Sequence, residues 1–285
     1  MARRRIDWER LERFDRRWIF IMMAFSVLIP LLFPLNLPFR VQEKVKAVHE
    51  AVEALEPGST ILFAAEYDPA GKPELEPFAK AVLRRLFAKR VKVVTVTTWK
   101  FAPPLVMNLW KEIGVKEHGL TYGEDFAFLG FKEGQDIVIA KMGENLRTLY
   151  PKDYLGNTLD ELPIMAGKKS LKDFEMILII GAGFPGPKEY VQQVQGRYDL
   201  TILTAVTAVM VPDVSPYYDT GQIKGLVAGM RGAAEYEQIV KRPALATAGL
   251  DAQNLAHLFI ILAIIFGNVI YLMTRRQRRA VGDKP

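Results

Sequence analysis

The hydrophobic pattern of the chain includes two long uncharged runs, one near each end. Residues 18 to 35 (WIFIMMAFSVLIPLLFPL) and 255 to 274 (LAHLFIILAIIFGNVIYLMT) contain no charged side chain. At a rise of about 1.5 Å per residue, runs of this length span roughly 30 Å, the thickness of a bilayer's hydrocarbon core. The pattern predicts transmembrane helices over 18–38 and 254–274.

Each run has an alternative interpretation. The first could be a cleaved signal peptide, but no small-residue cleavage site follows it and the apolar run exceeds a typical signal core. The second could be a buried core helix, but it is apolar on nearly every face and ends in RRQRR. Prolines at 30, 34 and 38 predict that regular helix weakens near Pro34.

Between the runs, the pattern first predicts a helix beside the membrane. Apolar residues alternate four and three positions apart from Val41 to Leu55, and Pro57-Gly58 ends the series. Two heptads are too few to establish a coiled coil, which stays the alternative. A single helix packing on its own domain is the favoured interpretation.

Apolar strand-like and amphipathic segments then alternate. Strands are predicted at 59–68, 91–99, 174–181 and 200–211, with short ones near 126–131 and 136–140; helices are predicted at 75–87, 104–113 and 187–195. Near-continuous apolar strands between helices are typical of a parallel sheet that is covered on both faces. Residues 39–253 are therefore predicted to form one doubly wound, mostly parallel, Rossmann-like α/β domain.

Charge is uneven along the chain and sets the predicted orientation. Residues 1–17 carry seven Arg against four acids, and residues 275–285 carry four Arg and one Lys against one Asp. The remaining 26 basic and 27 acidic residues nearly cancel, so the net charge of +6 belongs to the tails. Both termini are predicted in the cytoplasm, with 39–253 outside it, on an inner membrane. The basic balance gives no support to nucleic-acid binding.

A glycine turn, GAGFPG from Gly181 to Gly186, follows the predicted strand 174–181 and matches the G-x-G-x-x-G dinucleotide pattern. A dinucleotide site also needs an acid at the end of the next strand, whereas Asp199 precedes that strand. Pro185 and Pro187 remove two amides that would face a phosphate. The turn is thus interpreted as a strand-to-helix connection, and no cofactor is predicted.

Polar residues follow several strands at the edge where an open parallel sheet binds ligands. The candidate ligand-binding residues are Glu66, Asp68, Thr97, Thr98, Gly181 and Gly183. Such a set could hold a metal or a small polar ligand. The alternative is that Asp68 belongs to an ordinary turn that starts the next helix.

The inventory of catalytic side chains is small. The chain has no cysteine and three histidines, and none of its four serines lies in G-x-S-x-G. A His/Cys zinc site and a serine hydrolase are therefore not predicted, and a carboxylate-based hydrolase remains open. No catalytic residue and no metal ligand is assigned, and the protein is predicted to act without catalysis.

The segment GQIKGLVAGMRGAAEYE, from Gly221 to Glu237, spaces Gly221, Gly225 and Gly229 four residues apart. Such a row predicts either a helix in very close contact with another backbone or a segment that is not helical throughout. Packing within the domain and packing between subunits are both open. These glycines, together with Asn268 in the second apolar run, are the candidate interface residues.

This segment, together with YGEDFAFLGFKEGQDIVIAKMG, resembles an uncharacterised family of bacterial membrane proteins. The resemblance implies a bacterial setting and carries no fold, activity or site. The sequence thus predicts a membrane-anchored domain that binds the lipid bilayer and either other membrane proteins or itself, in an assembly. The alternative is a small-ligand or metal-binding domain with its site at the carboxyl ends of the strands.

Overall fold

A computed structural model describes residues 15–281, which form two compact units. One unit contains residues 15–37 and 248–281, and the other is Pro38–Thr247. Residues 1–17 are also predicted to form a basic amphipathic segment on the cytoplasmic side, and its first 14 residues lie outside the described part, as do the last four residues of the basic tail.

Six strands and ten principal helices make up the described chain. The strands are β1 (Thr60–Glu66), β2 (Lys92–Thr97), β3 (Phe126–Phe131), β4 (Ile177–Gly181), β5 (Ile202–Val206) and β6 (Gly225–Ala228). The helices are α1 (Arg16–Leu32), α2 (Glu43–Glu53), α3 (Lys72–Ala88), α4 (Pro103–Leu109), α5 (Gln135–Glu144), α6 (Leu146–Leu149), α7 (Pro187–Tyr190), α8 (Val211–Asp219), α9 (Gly229–Ile239) and α10 (Leu245–Val281). Helix α4 continues as a π-helix over Trp110–Glu117, and α7 continues as another over Val191–Gln195, followed by a helical turn at Gly196–Tyr198.

The strands form one parallel sheet in the order β3-β2-β1-β4-β5-β6. The chain builds outward from β1 to β3 on one side and then from β4 to β6 on the other. Strands β1, β4 and β5 are buried along their whole length, which explains their unbroken apolar sequences. The predicted doubly wound, Rossmann-like α/β fold is confirmed, and its topological switch point lies between β1 and β4.

Parts of the sequence-based prediction differ from the structure, and the predicted strand 200–211 is one of them, because β5 ends at Val206 and a helix begins at Val211. The short strand expected near 136–140 is part of helix α5, whose buried Val138, Ile139 and Met142 follow helical spacing. Strand β6 was missed because its four residues lie inside the glycine row.

The glycines of that row meet three different requirements, and they do not form one helical face. Gly221 lies in a turn at φ +78°, and Gly229 joins β6 to α9 at φ +56°, both left-handed conformations that favour glycine. Gly225 begins β6, where an added Cβ would lie 2.8 Å from the backbone nitrogen of Val48 in α2. The non-helical interpretation is the correct one, and the packing at Gly225 is within the domain.

Helix α2 packs on its own domain, as the apolar spacing predicts. Val45, Val48 and Val52 are buried. One apolar cluster of the domain lies between the sheet and the segments from α5 to α8.

The apolar helices differ in length. Among residues 15–281, one helix is long and apolar enough to span a membrane, the Leu245–Arg278 part of α10. Helix α1 is also apolar but has 17 residues, about 25 Å, and ends at Leu32. The predicted 18–38 helix is therefore too long, because Pro34 cannot donate the amide that would extend it. Helix α10 begins at Leu245, nine residues before the predicted start at 254.

Candidate functional site at the carboxyl edge of the sheet

Glu66 ends β1 at the switch point and is fully buried. Its Oε1 accepts a 2.7 Å hydrogen bond from the Tyr190 hydroxyl of α7. Its Oε2 accepts hydrogen bonds from the amide and the hydroxyl of Thr98, at 2.8 and 2.7 Å. The loops after β1 and β2 and helix α7 are thereby joined at one carboxylate.

The pKa of Glu66 is raised to about 7, and the largest cause is burial of the carboxyl away from water. The hydrogen bonds from Tyr190 and Thr98 favour the ionised form and oppose the rise. Burial and the neighbouring Glu66 raise the pKa of Tyr190 well above its ordinary value, so this phenol is a neutral donor. Glu66 can therefore exchange a proton near neutral pH, a property common at functional sites.

Two further candidate residues have local structural roles. The Thr97 hydroxyl donates 2.6 Å to the carbonyl of Ala65 on the neighbouring strand. Asp68 Oδ1 accepts the amides of Ala70 and Gly71, at 3.0 and 3.2 Å. Asp68 therefore forms the ordinary turn before α3 that the sequence analysis gave as the alternative to a ligand-binding role.

The glycine turn after β4 is closely packed. A Cβ at Gly181 would lie 2.8 Å from Pro187 Cδ, and one at Gly183 would lie 3.3 Å from Trp99 Cη2. The Trp99 indole also donates 2.8 Å to the carbonyl of Pro185. Trp99 therefore occupies the space beside the turn.

Two amides of the turn are already used. The amide of Ala182 donates to the Glu66 carbonyl at 2.9 Å, and that of Gly186 donates to Glu189 Oε2 at 2.8 Å. Asp199 precedes β5 and so lies at the amino edge of the sheet. The glycine pattern thus serves a compact turn and leaves few amides for a pyrophosphate.

Three large apolar side chains project from the loops around this packed centre. Phe101, Phe184 and Val209 follow β2, β4 and β5 and are 62%, 58% and 80% exposed. We call them the apolar rim. Their loops are bonded together, because Trp99 donates to Pro185 and the Thr207 amide donates to the Gly181 carbonyl at 3.4 Å.

Two more buried carboxylates lie on α9, in the AEYE part of the glycine-rich segment. Glu235 accepts the Gln42 amide (2.9 Å), the Gln42 side-chain nitrogen (3.0 Å) and Arg231 Nε (3.1 Å). The Glu237 carboxylate accepts hydrogen bonds from the amides of Ala244, Ala246 and Thr247, at 2.9 to 3.1 Å. It also accepts one from the Thr247 hydroxyl, at 2.7 Å. Glu235 fixes the start of α2, and Glu237 caps the start of α10.

The structure thus brings together Glu66, Thr98 and the glycine turn. Thr97 bonds to Ala65 and also favours the ionised form of Glu66, whereas Asp68 serves its local turn. Tyr190 is the residue that the sequence interpretation missed. Its position one turn after Gly186, in a helix that starts at the same edge, is the signal that could have indicated it. Over residues 15–281 no group of three or more His, Cys, Asp or Glu is placed to hold a metal ion.

The candidate interface residue of the second apolar run also has a local contact. Asn268 is exposed on α10, and its side-chain nitrogen donates 3.0 Å to the Ile264 carbonyl of the same helix. Its side-chain oxygen remains available to a partner helix.

No protein-family model matches the chain, and no curated protein matches it. Among solved structures, it is similar to an α,α-trehalose-phosphate synthase (UDP-forming) from Burkholderia vietnamiensis, with 10% identity, a TM-score of 0.31 and coverage of 94% of this chain and 51% of that one. An α,α-trehalose 6-phosphate synthase from Burkholderia multivorans gives 11% identity, a TM-score of 0.31 and coverage of 91% and 50%. The chain thus spans about half the length of these structures.

Proposed function

We propose that this protein is anchored in a bacterial inner membrane and that its Rossmann-like domain works without catalysis, binding a partner protein in a membrane assembly. The observation that supports this best is the apolar rim around a switch point already filled by the protein's own side chains. Exposed apolar patches mark interaction sites, and aromatic side chains that become buried carry much of the binding energy of protein–protein contacts. A partner that covers Phe101, Phe184 and Val209 removes their side chains from water.

Replacing the rim tests partner binding. The variant Phe101→Ser/Phe184→Ser/Val209→Ser should lose the complex that the wild-type protein forms in mild detergent, seen as faster migration on a native gel. Val115→Ser/Leu155→Ser changes two other exposed apolar side chains and is the matched control. If the rim variant keeps both its fold and the complex, the proposal is wrong.

A second candidate function is small-ligand binding at Glu66, with carboxylate-based hydrolysis as its enzymatic form. It is favoured by the position of this near-neutral carboxyl at the switch point. Binding requires the Trp99 side chain to move away from Gly183. A thermal-shift screen of small polar ligands and metals supports this candidate only if a ligand stabilises the wild-type protein and fails to stabilise Glu66→Gln.

For the membrane placement we propose two spans, α1 and α10, with both termini in the cytoplasm and residues 39–253 outside it. The basic tails support this orientation. The short α1 helix can span with local bilayer thinning or through the uncharged residues 33–37 that follow it, of which only Asn36 is polar. The lipid bilayer and either other membrane proteins or a second copy of the chain are the proposed partners.

A further inference from the structure

A hollow of about 320 Å³ lies where the chain enters the α/β domain. It is lined by Arg40, Val41, Gln42, Glu43 and Arg231. All five belong to the Pro38–Thr247 unit. Glu235 accepts hydrogen bonds from Gln42, two residues after Arg40, and from Arg231 itself. Both arginines of the hollow are therefore held in place through Glu235.

The two arginines retain most of their hydrogen-bonding capacity. Within the described chain, Arg40 makes no side-chain hydrogen bond or ion pair of 4 Å or less, and Arg231 uses its Nε alone, toward Glu235. The nearby carboxylates already have partners, since Glu43 pairs with Lys46 at 2.8 Å and Glu235 also accepts from Gln42. The guanidinium groups are therefore available to an anion that has several oxygens.

Chain connectivity places the hollow close to the end of an apolar segment. Arg40 follows Leu37 by three residues, so their Cα atoms are at most about 11 Å apart. Residues 18–37 contain no charged side chain. If this segment enters the bilayer, Arg40 lies at the depth of the lipid headgroups.

We propose that this hollow binds the phosphodiester headgroup of an anionic membrane lipid, with Arg40 and Arg231 as its ligands. The inference rests on the membrane placement of the proposed function and is independent of the partner-binding role. Two guanidinium forks suit the phosphate oxygens, and the anchored chain keeps the lipid at high local concentration.

The full-length protein in nanodiscs of phosphatidylcholine with a minor fraction of phosphatidylglycerol provides the test, with retained lipid counted by native mass spectrometry. The wild-type protein should retain phosphatidylglycerol preferentially. The variant Arg40→Gln/Arg231→Gln should reduce that retention on the order of tenfold. Lys188→Gln/Arg197→Gln removes two exposed charges elsewhere and should leave it unchanged.

Arg40→Gln alone removes no hydrogen bond of the described structure, so it keeps the test informative if the double variant unfolds. Equal retention of the two lipids by the wild-type protein, or equal retention by wild type and Arg40→Gln, would overturn the inference. Stabilisation of the detergent-solubilised protein by inorganic phosphate, with no preferential retention of phosphatidylglycerol in nanodiscs, would also overturn it, because the site would then bind a free anion. A chain that does not insert into nanodiscs would refute the membrane placement as well.

Discussion

At the scale of single residues, the ionisation of Glu66 links the switch point to pH. Below about pH 4.5 the carboxyl is protonated in both the folded and the unfolded chain. Because its folded pKa is raised to about 7, the folded protein holds this proton more tightly as the pH rises. The contribution of Glu66 to the free energy of unfolding is therefore fully present at low pH. It is lost as the pH rises toward and through 7, and the loss is on the order of 3 kcal/mol.

The expected result is that Glu66→Gln removes this pH dependence. Urea denaturation of the full-length protein in detergent, between pH 4.5 and 8, measures the change. Glu56→Gln, at an exposed position, is the control and should keep the wild-type slope. An unaltered slope in Glu66→Gln would show that another group is responsible.

Tyr190→Phe makes a separate prediction about the same network. Removing the hydroxyl that donates to Glu66 Oε1 takes away one interaction with the ionised carboxylate. The pKa of Glu66 should rise further, so the loss of stability should move to higher pH in the same urea series. A midpoint that moves to lower pH would contradict the assigned direction of this hydrogen bond.

At the scale of elements, β6 depends on a glycine that lets α2 approach it. Gly225→Ala should lower the free energy of unfolding by about 1–3 kcal/mol, because its Cβ would meet Val48 at side chain and backbone. Gly196→Ala is the matched control, since that glycine is helical and has open space around its Cβ position. It should be neutral or slightly stabilising. Equal unfolding midpoints for the two variants would contradict this packing.

The start of α10 depends on Glu237. Glu237→Ala leaves the amides of Ala244, Ala246 and Thr247 without their acceptor. Hydrogen exchange at residues 244–247 should accelerate, and stability should fall by about 1–3 kcal/mol. Gln238→Ala, at an exposed position on the same helix, should leave that exchange unchanged. Unchanged protection in Glu237→Ala would mean that the cap is not needed.

The elements that sequence predicts well are those whose pattern comes from burial. Strands β1 and β4 are apolar at nearly every position because helices cover both faces of the sheet. The run DIVIA in α5 has β-branched residues that favour a strand, and tertiary packing overrides that preference. The site follows the same division, since Glu66 and Thr98 lie near the ends of predicted strands. Tyr190 is 124 residues from Glu66, and its position after the glycine turn does not give the direction of its hydroxyl.

At the scale of the whole molecule, the absence of cysteine allows a direct test of topology. Glu133→Cys places one thiol at an exposed position of the domain, and Gln277→Cys places one at an exposed position near the end of α10. In spheroplasts, a membrane-impermeant maleimide should label the first and should reach the second only after lysis. The reverse pattern would place the domain in the cytoplasm.

The two carboxylates of α9 have a consequence for how this domain could be moved between proteins. Glu235 bonds to Gln42 and Glu237 bonds to Ala244, so the first and last segments of the domain are held by residues two positions apart. Each carboxylate reaches only a few ångströms beyond its helix, which puts the ends of the domain within roughly 20 Å of each other. Residues 38–247 therefore have the geometry of a domain that tolerates deletion and insertion. A short loop could replace the domain in this chain, and a surface turn of another protein could accept it.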